Sequence, residues 1–131
     1  MSVLQESFSY KWFDRVWNNS QEEAIDLMVD ENATIIGLND ELRGPAGFKT
    51  FYHSFRNDFD QIYVTVTSVV ALDDGEEVYC NVRAVHKDSG QPVNFNGKCR
   101  MKIAGGKIQE AENEFDFAVM TQQIAASANL Y

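Results

Sequence analysis

Proline and cysteine are scarce, at two residues each in 131, and basic residues are few. With so little proline and no Ser/Gly-rich run, nothing resembles a linker, and one domain over 1–131 is expected. Cys80 and Cys99 sit in apolar, alternating segments and lack CxxC or Cys/His spacing. They read as reduced, buried thiols of a cytosolic protein, with a cross-strand disulfide as the alternative and no metal site expected. Eleven Lys and Arg against twenty Asp and Glu give a formal charge of −9. That balance excludes broad electrostatic binding to nucleic acid, which needs a basic stripe, and argues against attachment to anionic membranes. No run approaches the roughly 18 apolar residues of a membrane helix. The first residues, interrupted by Glu6, Lys11, Asp14 and Arg15, lack an export core. A cytoplasmic location is therefore expected.

What is present is a globular composition, 44% hydrophobic and 24% charged. Phe8, Trp12, Phe13, Val16 and Trp17 recur at helical spacing. Ser20 and Glu23 have capping-box spacing for a second helix, which should end at the polar turn Asp30-Glu31-Asn32. Ala33 to Leu38 reads as a short strand. Pro45 suits the start of a third helix, whose stripe of Phe48, Phe51, Tyr52, Phe55 and Phe59 is strongly amphipathic.

From Gln61 the period becomes two. Strands are expected over 62–72, 77–86, 92–103 and 107–115, joined by Asp73-Asp74-Gly75, Asp88-Ser89-Gly90 and Ala104-Gly105-Gly106. An Ala/Gln-rich helix over 117–128 closes the chain. Helices followed by hairpin-linked strands imply an α+β fold with a mostly antiparallel sheet. Tyr63, Thr65, Thr67 and Val69, with Tyr79, Asn81 and Arg83, should alternate outward and suit sheet-to-sheet homodimer packing. Arg100 and Lys102 also read as outer-face residues.

Two segments resemble a known family. "LRGPAGFKTFYHSF" at Leu42 to Phe55 is similar to the helix covering the cone of NTF2-like proteins. "MKIAGGKIQEAENEFDFAVMTQQI" at Met101 to Ile124 resembles the closing hairpin, strand and tail of their SnoaL-like, polyketide cyclase-like branch, with Phe115-Asp116 and Gln122-Gln123 at the characteristic positions. The resemblance implies N-terminal helices packed on a curved sheet, with a short C-terminal helix. It also implies a cone cavity for a small, largely apolar or carbonyl-containing molecule. The chemistry of that branch would be cofactor-free cyclisation, isomerisation or dehydration.

Other chemistries of this fold lack their groups. The positions matching the tyrosine, base and protonated aspartate of ketosteroid isomerases are Phe13, Gly37 and the vicinity of Cys99. Those matching the charged residues of limonene epoxide hydrolases are Val82, Ala84 and Asn113. By resemblance, Asp116 stands where the cyclase-like branch keeps its acid/base aspartate; the other reading makes it a cap for the last helix. Glu112 stands where that branch commonly carries Trp, and is either a second carboxylate or part of a solvated face. His86 shares strand parity with Val82 and Ala84 and is the second catalytic candidate, with a merely exposed strand-end histidine as the alternative. Trp17, Leu38, Tyr52, Phe55, Phe59 and Met101 are the expected cavity lining, with plain core packing as the alternative. The rival functions are a non-catalytic ligand carrier or sensor and a protein-interaction module.

Overall fold

The computed structural model describes residues 4–38 and 40–126. Ser7 caps helix α1 (Phe8–Phe13), its Oγ accepting from Tyr10 N. The chain then widens into a π turn over Asp14–Asn18, with Asn19 N bonded to Asp14 O. Helix α2 (Glu23–Met28) starts without the expected Ser20 cap: Ser20 takes a left-handed φ of 54°, and Glu22 precedes the helix with no side-chain cap. Strand β1 (Val29–Ile36) follows at once, so the polar segment Asp30-Glu31-Asn32 is strand rather than turn. The triplet lies in an irregularity between the paired residues Val29 and Thr34, where Asp30 Oδ1 accepts from Asn32 N at 2.9 Å, so its local turn bond survives inside the strand.

A two-residue strand β2 (Leu42–Arg43) leads into helix α3 (Gly44–Asp58), with Pro45 in its first turn as expected. Then come β3 (Phe59–Leu72), β4 (Gly75–His86), β5 (Pro92–Ala104), β6 (Lys107–Phe115) and helix α4 (Phe117–Ala125). The remainder of the expected last helix, at Ser127 and Ala128, lies outside the described residues. The expected α+β class holds.

The six strands form one open sheet in the order β2-β1-β6-β5-β4-β3, in which only β1 and β6 run parallel. Val64, Val82, Phe95, Cys99 and Met101 on its inner face pack against Trp12, Val16, Trp17, Phe48 and Tyr52 from the helices. Burying an aliphatic such as Ile25 or Val16 contributes about 1.5–3 kcal/mol, so this layer dominates stability. The register of β3 shifts twice against β4, between Asp60 and Tyr63 and between Val66 and Ser68. Gln61 sits at the first shift with φ of 53°. The second reverses side-chain parity. Tyr63, Thr65 and Thr67 therefore face outward as expected, whereas Val69 pairs with Val78 and packs against the core.

Two polar contacts pin the first helical segments to the sheet. Glu76 Oε1 accepts from both Ser9 N (2.8 Å) and Ser9 Oγ (2.6 Å), which satisfies a serine with 0% exposure. On the edge strand β3, the Asn18 side chain accepts from Val64 N (2.7 Å) and donates to Val64 O (2.9 Å). A side-chain amide thus replaces a missing neighbouring strand and blunts an otherwise exposed edge.

Candidate functional site

Between helices and sheet lies a cavity of about 50 Å³. Its walls are Trp12, Phe13 and Trp17 from the first helical segment, Leu38 after β1, and Phe48, Phe51 and Phe55 from α3. The sheet adds Ile62, Val64, Val82, Phe95, Asn113 and Phe115, and Phe117 of α4 completes the lining. The helical spacing of α3 and the two-residue period of the strands bring these side chains together. The rings interlock edge to face: Trp17 meets Phe55 at 5.7 Å and Trp12 meets Phe48 at 5.0 Å between centroids. Aromatic volume therefore occupies most of the space between helices and sheet.

Among the described residues of the lining, Asn113 carries the only side-chain amide; the only other polar side-chain groups are the indole N–H groups of Trp12 and Trp17. Asn113 Nδ2 donates to Ile36 O at 2.9 Å, which fixes the amide against β1. Among the described residues, no lining residue is ionisable. Gly37, with φ of 90°, lies directly over Asn113, and a Cβ there would overlap the Asn113 carbonyl oxygen. The position that resembles the isomerase base is thus barred from carrying a carboxylate. Gly97 plays a related part: a Cβ on it would enter the ring of Phe115, so the glycine makes room for a lining residue.

Of the six expected lining residues, Trp17, Leu38 and Phe55 face the cavity, whereas Tyr52, Phe59 and Met101 do not, and neither does the candidate ligand contact Glu112. Tyr52 is buried in the core and donates from its hydroxyl to Val16 O at 3.0 Å. Burial raises its pKa, helped by Glu22 and Glu23 and opposed by Arg56. Phe59 stacks on Phe55 at 4.5 Å, outside the cavity wall. Met101 is core, beside the Ser9 hydroxyl. Glu112 is exposed, because β6 turns 112 and 114 to solvent and 111, 113 and 115 inward.

Both expected catalytic residues lie off the lining as well. Asp116 is exposed, and its Oδ1 accepts from Val119 N at 3.1 Å, capping α4. His86 is half-buried at the end of β4, beside the Phe59 ring (5.3 Å) and with Nδ1 2.8 Å from Ser89 Oγ. Cys80 and Cys99 are free and buried. Burial pushes the Cys80 thiol up to about 12 and the Cys99 thiol up further.

Among the described residues, no three His, Cys, Asp or Glu cluster as metal ligands, and no helix is long and apolar enough to cross a membrane. Asn113 was recoverable from the sequence, because it shares strand parity with the apolar Ala111 and Phe115. Val64, Val82 and Phe95 carried only the general signal of an alternating strand.

The sequence model of the SnoaL-like polyketide cyclases matches residues 8–124. The chain belongs to that family. Solved structures place this SnoaL-like chain on a widely used fold. A candidate polyketide cyclase from Acidithiobacillus ferrooxidans superposes with a TM-score of 0.83 at 20% identity, covering 97% of this chain and 99% of that one. A candidate SnoaL-like polyketide cyclase from Jannaschia sp. CCS1 gives 0.81 at 18% identity, over 91% and 90%. A protein with a ketosteroid isomerase-like fold from Catenulispora acidiphila gives 0.79 at 12% identity, over 95% and 93%. At such identities the likeness is one of fold: this SnoaL-like chain has the NTF2-like architecture. No curated protein matches it.

Proposed function

We propose that this SnoaL-like protein binds a small, largely apolar ligand in the cone and acts as a carrier or sensor rather than through acid/base chemistry on its walls. The observation that carries the reading is the lining itself, aromatic and aliphatic apart from one amide. Apolar walls supply affinity by excluding water, and Asn113 supplies an orienting hydrogen-bond group. General acid/base catalysis needs a titratable group within reach of the substrate, and the described residues of this wall supply none. A cavity of 50 Å³ is smaller than the roughly 150 Å³ that accommodates benzene, so binding requires the surrounding rings to move apart.

The only two tryptophans of the chain, Trp12 and Trp17, both line the cavity. Intrinsic fluorescence therefore reports occupancy directly. Titration with straight-chain alcohols is expected to change emission saturably, and V82F, which adds bulk to the wall, should abolish the response while leaving the fold intact. An alcohol series that never saturates, or that behaves identically in V82F, removes the ligand reading.

Family membership favours a second reading, cofactor-free cyclisation of a carbonyl compound with Asp116 as base. Asp116 lies between Phe115 and Phe117, both lining residues, so its carboxylate would have to leave Val119 N and turn to the cavity mouth. Turnover of a polyketide-like substrate that D116N abolishes, with α4 still folded, would establish that reading over the carrier. The exposed rings of Tyr63 and Tyr79 on the outer sheet face support a homodimer, tested by sedimentation of the wild type against Y63E.

A further inference from the structure

Beside the cone, α3 and α4 flank a groove of about 280 Å³. Phe51, Phe55 and Phe117 line both spaces, so these three rings are the wall between them. Cone and groove differ in chemistry. The groove adds Ser54, Thr121 and Asp58 as polar lining.

Asp58 is the only charged residue among the described residues that line it. It is exposed and is the last residue of α3, where the helix dipole is already negative and a second negative charge is unfavourable. Among the described residues it has no ion-pair partner, and Arg56 and Lys87, its neighbours in sequence or by backbone bond, direct their charges to other groups. The Arg56 guanidinium lies over the Tyr52 ring at 5.2 Å from its centroid. The Lys87 ammonium sits 3.7 Å from Asp60, and only the Lys87 backbone N–H reaches Asp58, at its carbonyl. Asp58 thus adds a carboxylate to the C-terminal end of α3, where Arg56 of the last turn is directed onto Tyr52, and it lines a groove whose ring wall is shared with the cone.

We propose that cone and groove together take one amphipathic molecule, with its apolar body among the rings and a cationic head, such as a primary ammonium, at Asp58. The idea rests on the apolar-ligand reading above and adds the chemical class of the head group. Parting of Phe55 and Phe117 joins the two spaces. Carboxylate and helix dipole then act on the same charge, so a cation is favoured and an anion of equal length is rejected.

The test uses decan-1-ol, decylammonium and decanoate as probes, read by tryptophan fluorescence of the whole protein. The wild type is expected to bind decylammonium at least tenfold more tightly than decanoate. D58N should bring that preference to within about threefold, and D58K should reverse it, with decanol affinity shifting less than that of either ion. D73N, the same charge change in the exposed β3–β4 turn, should keep the wild-type preference and so accounts for the overall negative charge. A preference that D58N and D58K leave unaltered, while decanol still binds, overturns the proposal and spares the apolar-ligand reading. Failure of decanol itself to bind overturns both.

Discussion

Gln123 closes a pair of hydrogen bonds on the backbone of Asn94: its Oε1 accepts from Asn94 N and its Nε2 donates to Asn94 O, each at 2.8 Å. The pairing of β5 with β6 begins at Gly97 and Phe115, so Asn94 lies beyond the end of its neighbouring strand. The glutamine amide stands in for the absent strand, and Gln91 Nε2 reinforces it by donating to Gln123 O at 3.2 Å. These contacts tether α4, which has no fully buried residue of its own and contributes Phe117 to the cavity lining.

Replacing Gln123 should therefore loosen α4 specifically. Q123A is expected to cost about 1 kcal/mol, since water reaches the vacated groups, and to raise amide exchange over residues 117–125. Q123E should be worse than Q123A, because a carboxylate cannot donate to Asn94 O. Hydrogen exchange measured by mass spectrometry checks this, and unchanged protection of α4 in Q123E would contradict it.

Glu76 is the contact whose loss should hurt most. In E76A the buried Ser9 keeps a donor N–H and a hydroxyl with no carboxylate to meet them, a cost of roughly 1–3 kcal/mol. E76Q retains an acceptor oxygen and should recover part of that. Urea denaturation of the three proteins gives the order directly: wild type, then E76Q, then E76A.

Gly37 should tolerate no side chain. A Cβ there meets the carbonyl of Asn113, and the left-handed φ adds strain of about 1–2 kcal/mol for a non-glycine residue. G37A and G37D are both expected to lower Tm, and G37D should gain no isomerase activity. A stable G37D would show that β1 and β6 can separate at the cavity floor.

The thiols predict an alkaline limit. Both cysteines have folded pKa values raised by burial above the ordinary 9.0, Cys80 to about 12 and Cys99 further. The folded state therefore holds protons that the unfolded chain releases above pH 9. Stability from this source is complete below pH 9 and declines as pH rises toward 12, at up to about 1.4 kcal/mol per pH unit for each thiol. Denaturation midpoints between pH 8 and 11 should fall less steeply in a C80A/C99A variant than in wild type. In the native protein at pH 8, both thiols should also resist alkylation.

Much of this molecule was legible in its residues. The stripe on α3, the two-residue period after Gln61 and the Gly-Gly hairpin specified elements whose bounds differ little from those observed, because periodicity records which face meets water. Ser20 and Asp30-Glu31-Asn32 misled: Ser20 takes a left-handed φ two residues before the helix's own N-cap position, and the polar triplet is carried inside β1 as an irregularity that keeps a local Asp30–Asn32 hydrogen bond. Asp116 was legible in both of its readings, and a helix cap needs only its immediate neighbours.

What the tertiary structure alone decided was the inside of the cone. No local pattern shows that Asn113 is held by Ile36, that Gly37 forbids a side chain above it, or that Phe55 and Phe117 divide cavity from groove. Those facts join residues from opposite ends of the chain, and they depend on how far the β3 register shifts and the parallel β1–β6 pair bring the strands over one another. Sequence period sets which way a side chain points. Packing at a distance sets what it meets there.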